Sequence, residues 1–492
     1  MSLIQKLAGE TAIYGIPTIL SRVLNFAIIA AYLTSQLSVE NFGNMQLMYV
    51  FAATAMVVFT YRMETTLFRF GSKKETTLNA FTTAASAIIG TTVILAIVII
   101  IIAEPLSFLI LETEGLHRYF YYFAAIISLD ALAAIPFAKL RLDNQARRFS
   151  LLKVINILAN VFFILFFLEG LPWLSLNTEL GIQFDETNKL DYVFFANLLA
   201  SSLVFILVIP VYSSVAKSWA IDTALLRKMM HYTWPLAVIA FAGVINQQYQ
   251  FQILQWVLPE DLAKESVGVY GAASKLAIFM TLFTTAFNYA AEPFFFKHAE
   301  AKTDRNVFGN VAFAYTIVAV FVFLGVSYYL DVVQWILPQK YHAGVAAVPI
   351  LLMAFLFLGL YYNVAIWYKL ADRTQIGMYI SVGGAFVTIV LNILLIPILG
   401  YFGSAWSTLL CYVIMVVVCY ILCQKYYPIQ YPVGKILFYL VVAVIFWWIS
   451  DQGRSLLDDH LPYILIFNTF LLFVFAGLIY FKDRRYIRQI LA

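Results

Sequence analysis

Charge is what this sequence has least of. Asp, Glu, Lys and Arg together make up 12% of its 492 residues, where a soluble domain of that length carries about a quarter. Hydrophobic residues reach 63% and the mean hydropathy is +0.85. No water-soluble fold hides that much apolar surface, because most of a globule's exterior must be wetted. The bilayer is the solvent that remains. Cysteine is nearly absent too: Cys411, Cys419 and Cys423 share one apolar segment with no His nearby, so neither a disulfide framework nor a metal site is indicated and the three read as small core residues. No cleavable leader is expected. Residues 1–10 hold one Lys and no small-residue cleavage site follows, so the first span is expected to stay as an anchor.

Catalytic signatures are missing as well. The five histidines, His117, His231, His298, His342 and His460, are scattered at loop edges, and there is no nucleophile–base pair, metal-ligand set or phosphate-cradling glycine loop. The net charge of +4 is spread over short loops, which excludes a nucleic-acid footprint. With no cofactor motif, the chain reads as a non-enzyme.

What is present is a long series of apolar runs of about twenty residues, the length a helix needs to cross about 30 Å of hydrocarbon. Lipid demands that every backbone polar group be paired internally, which leaves helices or closed barrels, and barrel strands would alternate over about ten residues instead. The expected class is an all-α integral membrane protein with about fourteen spans: 12–33, 45–68, 80–103, 117–138, 151–168, 191–212, 232–256, 270–296, 307–330, 345–368, 376–397, 401–423, 433–450 and 461–481.

Basic residues provide an independent check. With both termini assigned to the cytoplasm, 23 of the 31 Lys and Arg fall on the inside and only Arg118, Lys189, Lys264, Lys340 and Arg454 on the outside. A missed span would scramble that asymmetry. The longest outer loop, about residues 169–190, is too short to be a catalytic domain.

An internal repeat also emerges. Pro17, Gly43 in "ENFGNMQLMYVFA" and Glu64 in "RMETTLFRF" have counterparts in Pro235, Gly268 in "ESVGVYGAASKLA" and Glu292 in "AEPFFFK"; "KLRLDNQ" at Lys139 has its counterpart in "KLADRTQ" at Lys369. Six spans per copy is an even number, so both copies enter from one side, the parallel kind of repeat. The expected organisation is a six-helix lobe over residues 1–230, a second over 231–423, and two further helices over 424–492.

Subtracting the loops leaves six charges at membrane depth: Arg22, Arg62 and Lys275 against Glu64, Asp130 and Glu292. Each costs several kcal/mol unless it meets water, a partner or a ligand. Arg22 lies about ten residues into the first span, so it either faces a lumen or forms a structural ion pair with Asp130 or Glu64. Arg62, Glu64 and Lys275 are near enough to span ends for either function or snorkelling. Asp130 is near mid-span, to pair with a cation or to titrate and couple transport to an H+ or Na+ gradient. Glu292 beside Pro293 reads as a bend with a satisfied carboxylate. The seventh span carries Gln248, Gln252 and Gln255 on one helical face, with Tyr249 among them. Those groups suit either sugar hydroxyls or interhelical hydrogen bonds.

The stretches "GIPTILSRVLNFAIIAAYLTSQLSVENFGNMQLMYVF", "RMETTLFRF" and "VGVYGAASKLAIFMTLFTTAFNYAAEPFFFKHA" resemble Wzx-type polysaccharide and O-antigen flippases, members of the multidrug/oligosaccharidyl-lipid/polysaccharide superfamily that also holds the MATE exporters and the lipid II flippases. The span pattern resembles that superfamily over the whole chain, and "SRVLNF" around Arg22 is close to the lipid II flippase pattern. The resemblance implies a flippase of the bacterial inner membrane. It would move an undecaprenyl-pyrophosphate-linked oligosaccharide from the cytoplasmic to the outer leaflet by alternating access. It also implies Arg22, Arg62 and Lys275 as cavity cations, and membrane lipids, a polysaccharide polymerase and assembly proteins as partners. A MATE-like antiporter of organic cations and a lipid II flippase are the competing readings.

Overall fold

The computed structural model describes residues 27–71, 74–143, 145–177, 184–216, 219–300, 305–371, 373–456 and 460–491. Among them the regular structure is helical, and twelve helices are long and apolar enough to cross a membrane. A thirteenth candidate is the pair Glu260–Leu276 and Ile278–Asn288, bent by 48°. These thirteen overlap the expected spans from 45–68 onward. The span expected at 12–33 falls mostly outside the described residues.

Contacts divide the chain into two compact units, Met1–Gly268 and Val269–Ala492. The first holds α1 (Val39–Thr60), α2 (Met63–Phe70), α3 (Lys74–Ile101), α4 (Ala103–Leu111), α5 (His117–Leu142), α6 (Ala146–Leu165), α7 (Lys189–Ser213), α8 (Thr223–Val257) and the start of α9 (Glu260–Leu276). Side chains that cap the helices are in place: Ser38 accepts from the Asn41 amide at the head of α1, and Asp222 from the Leu225 amide at the head of α8, each satisfying an N–H that the helix itself leaves unpaired. α7 packs on α5 and α6, α5 on α3, and α8 on α1.

Two glycines set the closest crossing in this unit. A Cβ on Gly43 would sit 2.5 Å from the Lys264 carbonyl oxygen, and one on Gly268 would sit 2.2 Å from the Val39 carbonyl oxygen. So α1 and α9 meet backbone to backbone, as small residues allow inside membranes. Lys264 holds the same crossing from the side, with its Nζ 3.3 Å from Glu40 and 2.6 Å from the Thr113 hydroxyl.

The second unit holds the rest of α9, α10 (Ile278–Glu300), α11 (Asn306–Tyr328), α12 (Val348–Val364), α13 (Thr374–Leu399), α14 (Tyr401–Tyr426), α15 (Val433–Leu456) and α16 (Leu461–Leu491). α14 packs on both α12 and α13, α11 on both α12 and α15. Cys411, Cys419 and Cys423 are buried within a cluster that includes Trp367 and Tyr412. Large apolar side chains such as Ile101, Phe108, Phe386, Ile398 and Phe473 stand exposed on the outer faces of their helices, as hydrocarbon solvent permits and water would not.

Candidate functional site

A cavity of about 510 Å³ opens within the first unit, walled by α1, α2, α5, α6 and α7. Its making begins with a broken helix. α1 stops at Thr60 and α2 restarts at Met63, because Tyr61 (φ 33°) and Arg62 (φ 60°) both adopt the left-handed conformation. Non-glycine residues held there cost of order 1–3 kcal/mol each and persist where surroundings fix them. The surroundings are explicit. Buried Thr233 of α8 donates a 2.6 Å hydrogen bond to the Tyr61 carbonyl, while the Arg62 carbonyl accepts from Thr65 and Thr66. The break therefore leaves few orphaned backbone groups, the condition for non-helical backbone at membrane depth.

The break turns Arg62 and Glu64 onto the cavity wall, where the guanidinium lies 3.6 Å from the carboxylate. The second carboxylate oxygen of Glu64 is buried with no hydrogen-bond partner among the described residues. Across the cavity, half-buried Asp130 of α5 accepts from the Ser201 hydroxyl of α7 and lies within electrostatic reach of Lys153 on α6. Lys153 rests 4.3 Å above the Phe137 ring, and Arg141 lies 4.7 Å from the Phe68 ring centroid. Aromatic faces hold a cation without neutralising it. The lining thus gathers three cations, Arg62, Arg141 and Lys153, against two carboxylates, Glu64 and Asp130, with Asn156 and Thr60 beside them and Ala, Phe, Val and Met for the rest of the wall.

Of the charges singled out in the sequence, the structure brings together Arg62, Glu64 and Asp130. Arg22 lies outside the described residues, and so does the side chain of Glu292. Lys275 is half-buried one residue before the bend at the end of α9, and among the described residues it has no ion pair. The amide face of α8 turns inward, but two of its members take the structural role. Gln252 donates to the Ile110 carbonyl at 3.0 Å and Gln255 to the Glu112 carboxylate at 2.9 Å, pinning α8 to the end of α4; Gln248 and Tyr249 are half-buried. Sequence reasoning missed Arg141 and Lys153, counting both as loop charges. The available signal was spacing: Lys153 and Asn156 are three residues apart and share a helical face.

Comparison with solved structures shows what the chain is similar to. It matches the lipid II flippase MurJ in an inward closed conformation, with TM-score 0.71 and 15% identity over 95% of this chain and 98% of that one. It also matches an inward-facing multidrug resistance MATE family transporter of the MOP superfamily, with TM-score 0.65 and 12% identity over 83% and 94%. A third match is the MATE multidrug transporter DinF-BH, with TM-score 0.57 and 15% identity over 86% and 96%. No protein-family model and no curated sequence matches the chain. The fold is MurJ/MATE-like.

Proposed function

We propose that the chain is a flippase for an anionic, lipid-linked oligosaccharide, moved from the cytoplasmic to the outer leaflet of the bacterial inner membrane by alternating access. The observation that carries this reading is the excess of cations over carboxylates on a cavity wall that is otherwise mostly apolar. A fixed cation at membrane depth costs several kcal/mol. Three on one wall against two carboxylates leave a net positive charge that calls for an anionic visitor, and a pyrophosphate between a glycan and a prenyl tail is such a visitor. Neither the pyrophosphate nor the sugars cross about 30 Å of hydrocarbon unaided, while the tail can remain among lipids. In this reading Glu64, with one oxygen unpaired, and Asp130 are the groups that exchange the coupling H+ or Na+. Lys275 and Arg22 belong to the same cationic set, both termini are cytoplasmic, and a glycan polymerase consumes the product.

A strain lacking the gene, complemented with Lys153→Ala or Arg62→Ala, is expected to lose at least tenfold of its surface polysaccharide while keeping the protein in the membrane; Lys153→Arg restores it. Normal polymer with both alanine variants would remove this cavity from the mechanism. The MATE-like alternative, an antiporter of organic cations, draws on the two carboxylates in the same wall. It predicts increased drug sensitivity in the deletion strain with surface polymer intact.

A further inference from the structure

The second unit carries a polar pocket that the flippase reading does not use. Its volume is about 310 Å³, and it lies where the end of α11, the segment after it, the start of α12 and the end of α15 converge. The charge census assigns these ends to the outside. On its wall, Arg454 grips Asp331 with both guanidinium nitrogens, one at 3.0 Å. Gln334, His342, Asp451 and the half-buried Trp447 complete the polar and aromatic part of the lining.

One group there departs from the usual pairing of buried hydroxyls. Hydroxyls inside these helices ordinarily bond back one turn, as Thr316 does to Ala312 and Ser407 to Gly403. Ser327 lines the pocket, is only 6% exposed, and its hydroxyl, like those of Thr92 and Ser404 elsewhere, has no partner among the described residues. Burying a hydroxyl with no partner is unfavourable, and a ligand hydroxyl would recover that cost. Its neighbour on the wall is settled differently: Ser450 donates to Asn468 at 2.6 Å, and Asn468 donates to the Tyr328 carbonyl at 2.8 Å. That network fixes α15 and α16 against α11, so the pocket is built on braced elements.

We propose that this pocket binds a single neutral sugar ring on the outer side of the membrane. Charge selects the class. The Arg454–Asp331 pair is internally neutralised and Asp451 leaves the wall with a net negative charge, so the site repels an anion and adds one more acceptor for a hydroxyl. The fork and the carboxylate do present donors and acceptors side by side, as vicinal hydroxyls require. Trp447 supplies a flat apolar face for the C–H side of a ring, and the volume suits one ring rather than a chain. The inference deepens the flippase reading by giving the delivered glycan a resting place on the far side.

The test uses the full-length purified protein and, as probes, soluble glucose, galactose, rhamnose and N-acetylglucosamine, titrated by calorimetry. Saturable binding of at least one sugar is expected, with Kd near the millimolar range. Ser327→Ala should weaken it about tenfold while Tm holds or rises, since removing an unpartnered buried hydroxyl relieves its cost in the folded chain. Trp447→Phe should weaken it further. No saturable binding by any of the four, binding unaltered in Ser327→Ala, or equal competition by glycerol, which has no ring face, would overturn the proposal. These probes carry neither pyrophosphate nor lipid. Arg62→Ala and Lys153→Ala proteins should therefore bind them as the unsubstituted protein does, which separates failure of this site from failure of the transport reading.

Discussion

At the scale of single residues, Tyr61 and Arg62 show how a membrane helix can be interrupted at modest cost. Thr233→Val keeps the shape of the side chain but withdraws the hydrogen bond to the Tyr61 carbonyl. A loss of about 1–2 kcal/mol is expected, read as a lower Tm in detergent. Arg62→Gly separates strain from charge: the left-handed backbone suits glycine, so Tm should hold or rise while transport falls as in Arg62→Ala. If both quantities fall together, the break is not held as described. Sequence reasoning picked out Arg62 and Glu64 because charge at membrane depth is rare. It could not see that two consecutive left-handed residues would set their direction, since Tyr and Arg carry no turn signal. Lys153 escaped for a different reason. It stands at the cytoplasmic start of the expected span 151–168, so a wall residue was counted with the adjoining loop.

Elements add constraints that no residue shows alone. The crossing of α1 and α9 tolerates no side chain on its inner surface, because the atoms facing Gly43 and Gly268 are backbone carbonyls that cannot rotate away. Gly268→Ala and Gly43→Ala should each cost about 1–3 kcal/mol by overpacking. An alanine at Gly243, where nothing lies within 4 Å, is the matched control and should leave Tm unchanged or slightly raised. The two crossing glycines were legible as partners in a repeat, yet the repeat did not say that they meet at one crossing. At the head of α8, the Leu225 amide donates to the Asp222 carboxylate and holds it below its ordinary value. A carboxyl depressed on folding contributes stability above its unfolded value, near 3.9, and loses it as pH falls through the lower folded value. Thermal scans should therefore show Asp222→Asn to be less sensitive to pH below about 4 than the unsubstituted chain. For the amides of α8, spacing revealed the inward face, but only the position of Leu109–Glu112 decided that Gln252 and Gln255 would be consumed by interhelical bonds.

For the whole molecule, thirteen of the expected spans were readable because hydrocarbon imposes one rule, an apolar run of fixed length, on every crossing. Orientation rests on the asymmetry of Lys and Arg, and labelling tests it directly. Cys411, Cys419 and Cys423 are buried and should not react with a charged maleimide, so single cysteines can be introduced without removing them. Gln452→Cys is expected to label in intact cells and Gln145→Cys only after the membrane is opened; the reverse pattern would invert the topology. Hydropathy could not supply the cavity or the sugar pocket, because both are assembled from residues distant in sequence. The bare backbone contact at Gly43 and Gly268 carries one last consequence. Interlocked side chains act as teeth and resist displacement along a helix axis, whereas two smooth rails do not. If these segments travel past each other during a cycle, the backbones offer no teeth here, and the Lys264 contacts to Glu40 and Thr113 are the ones that must be released.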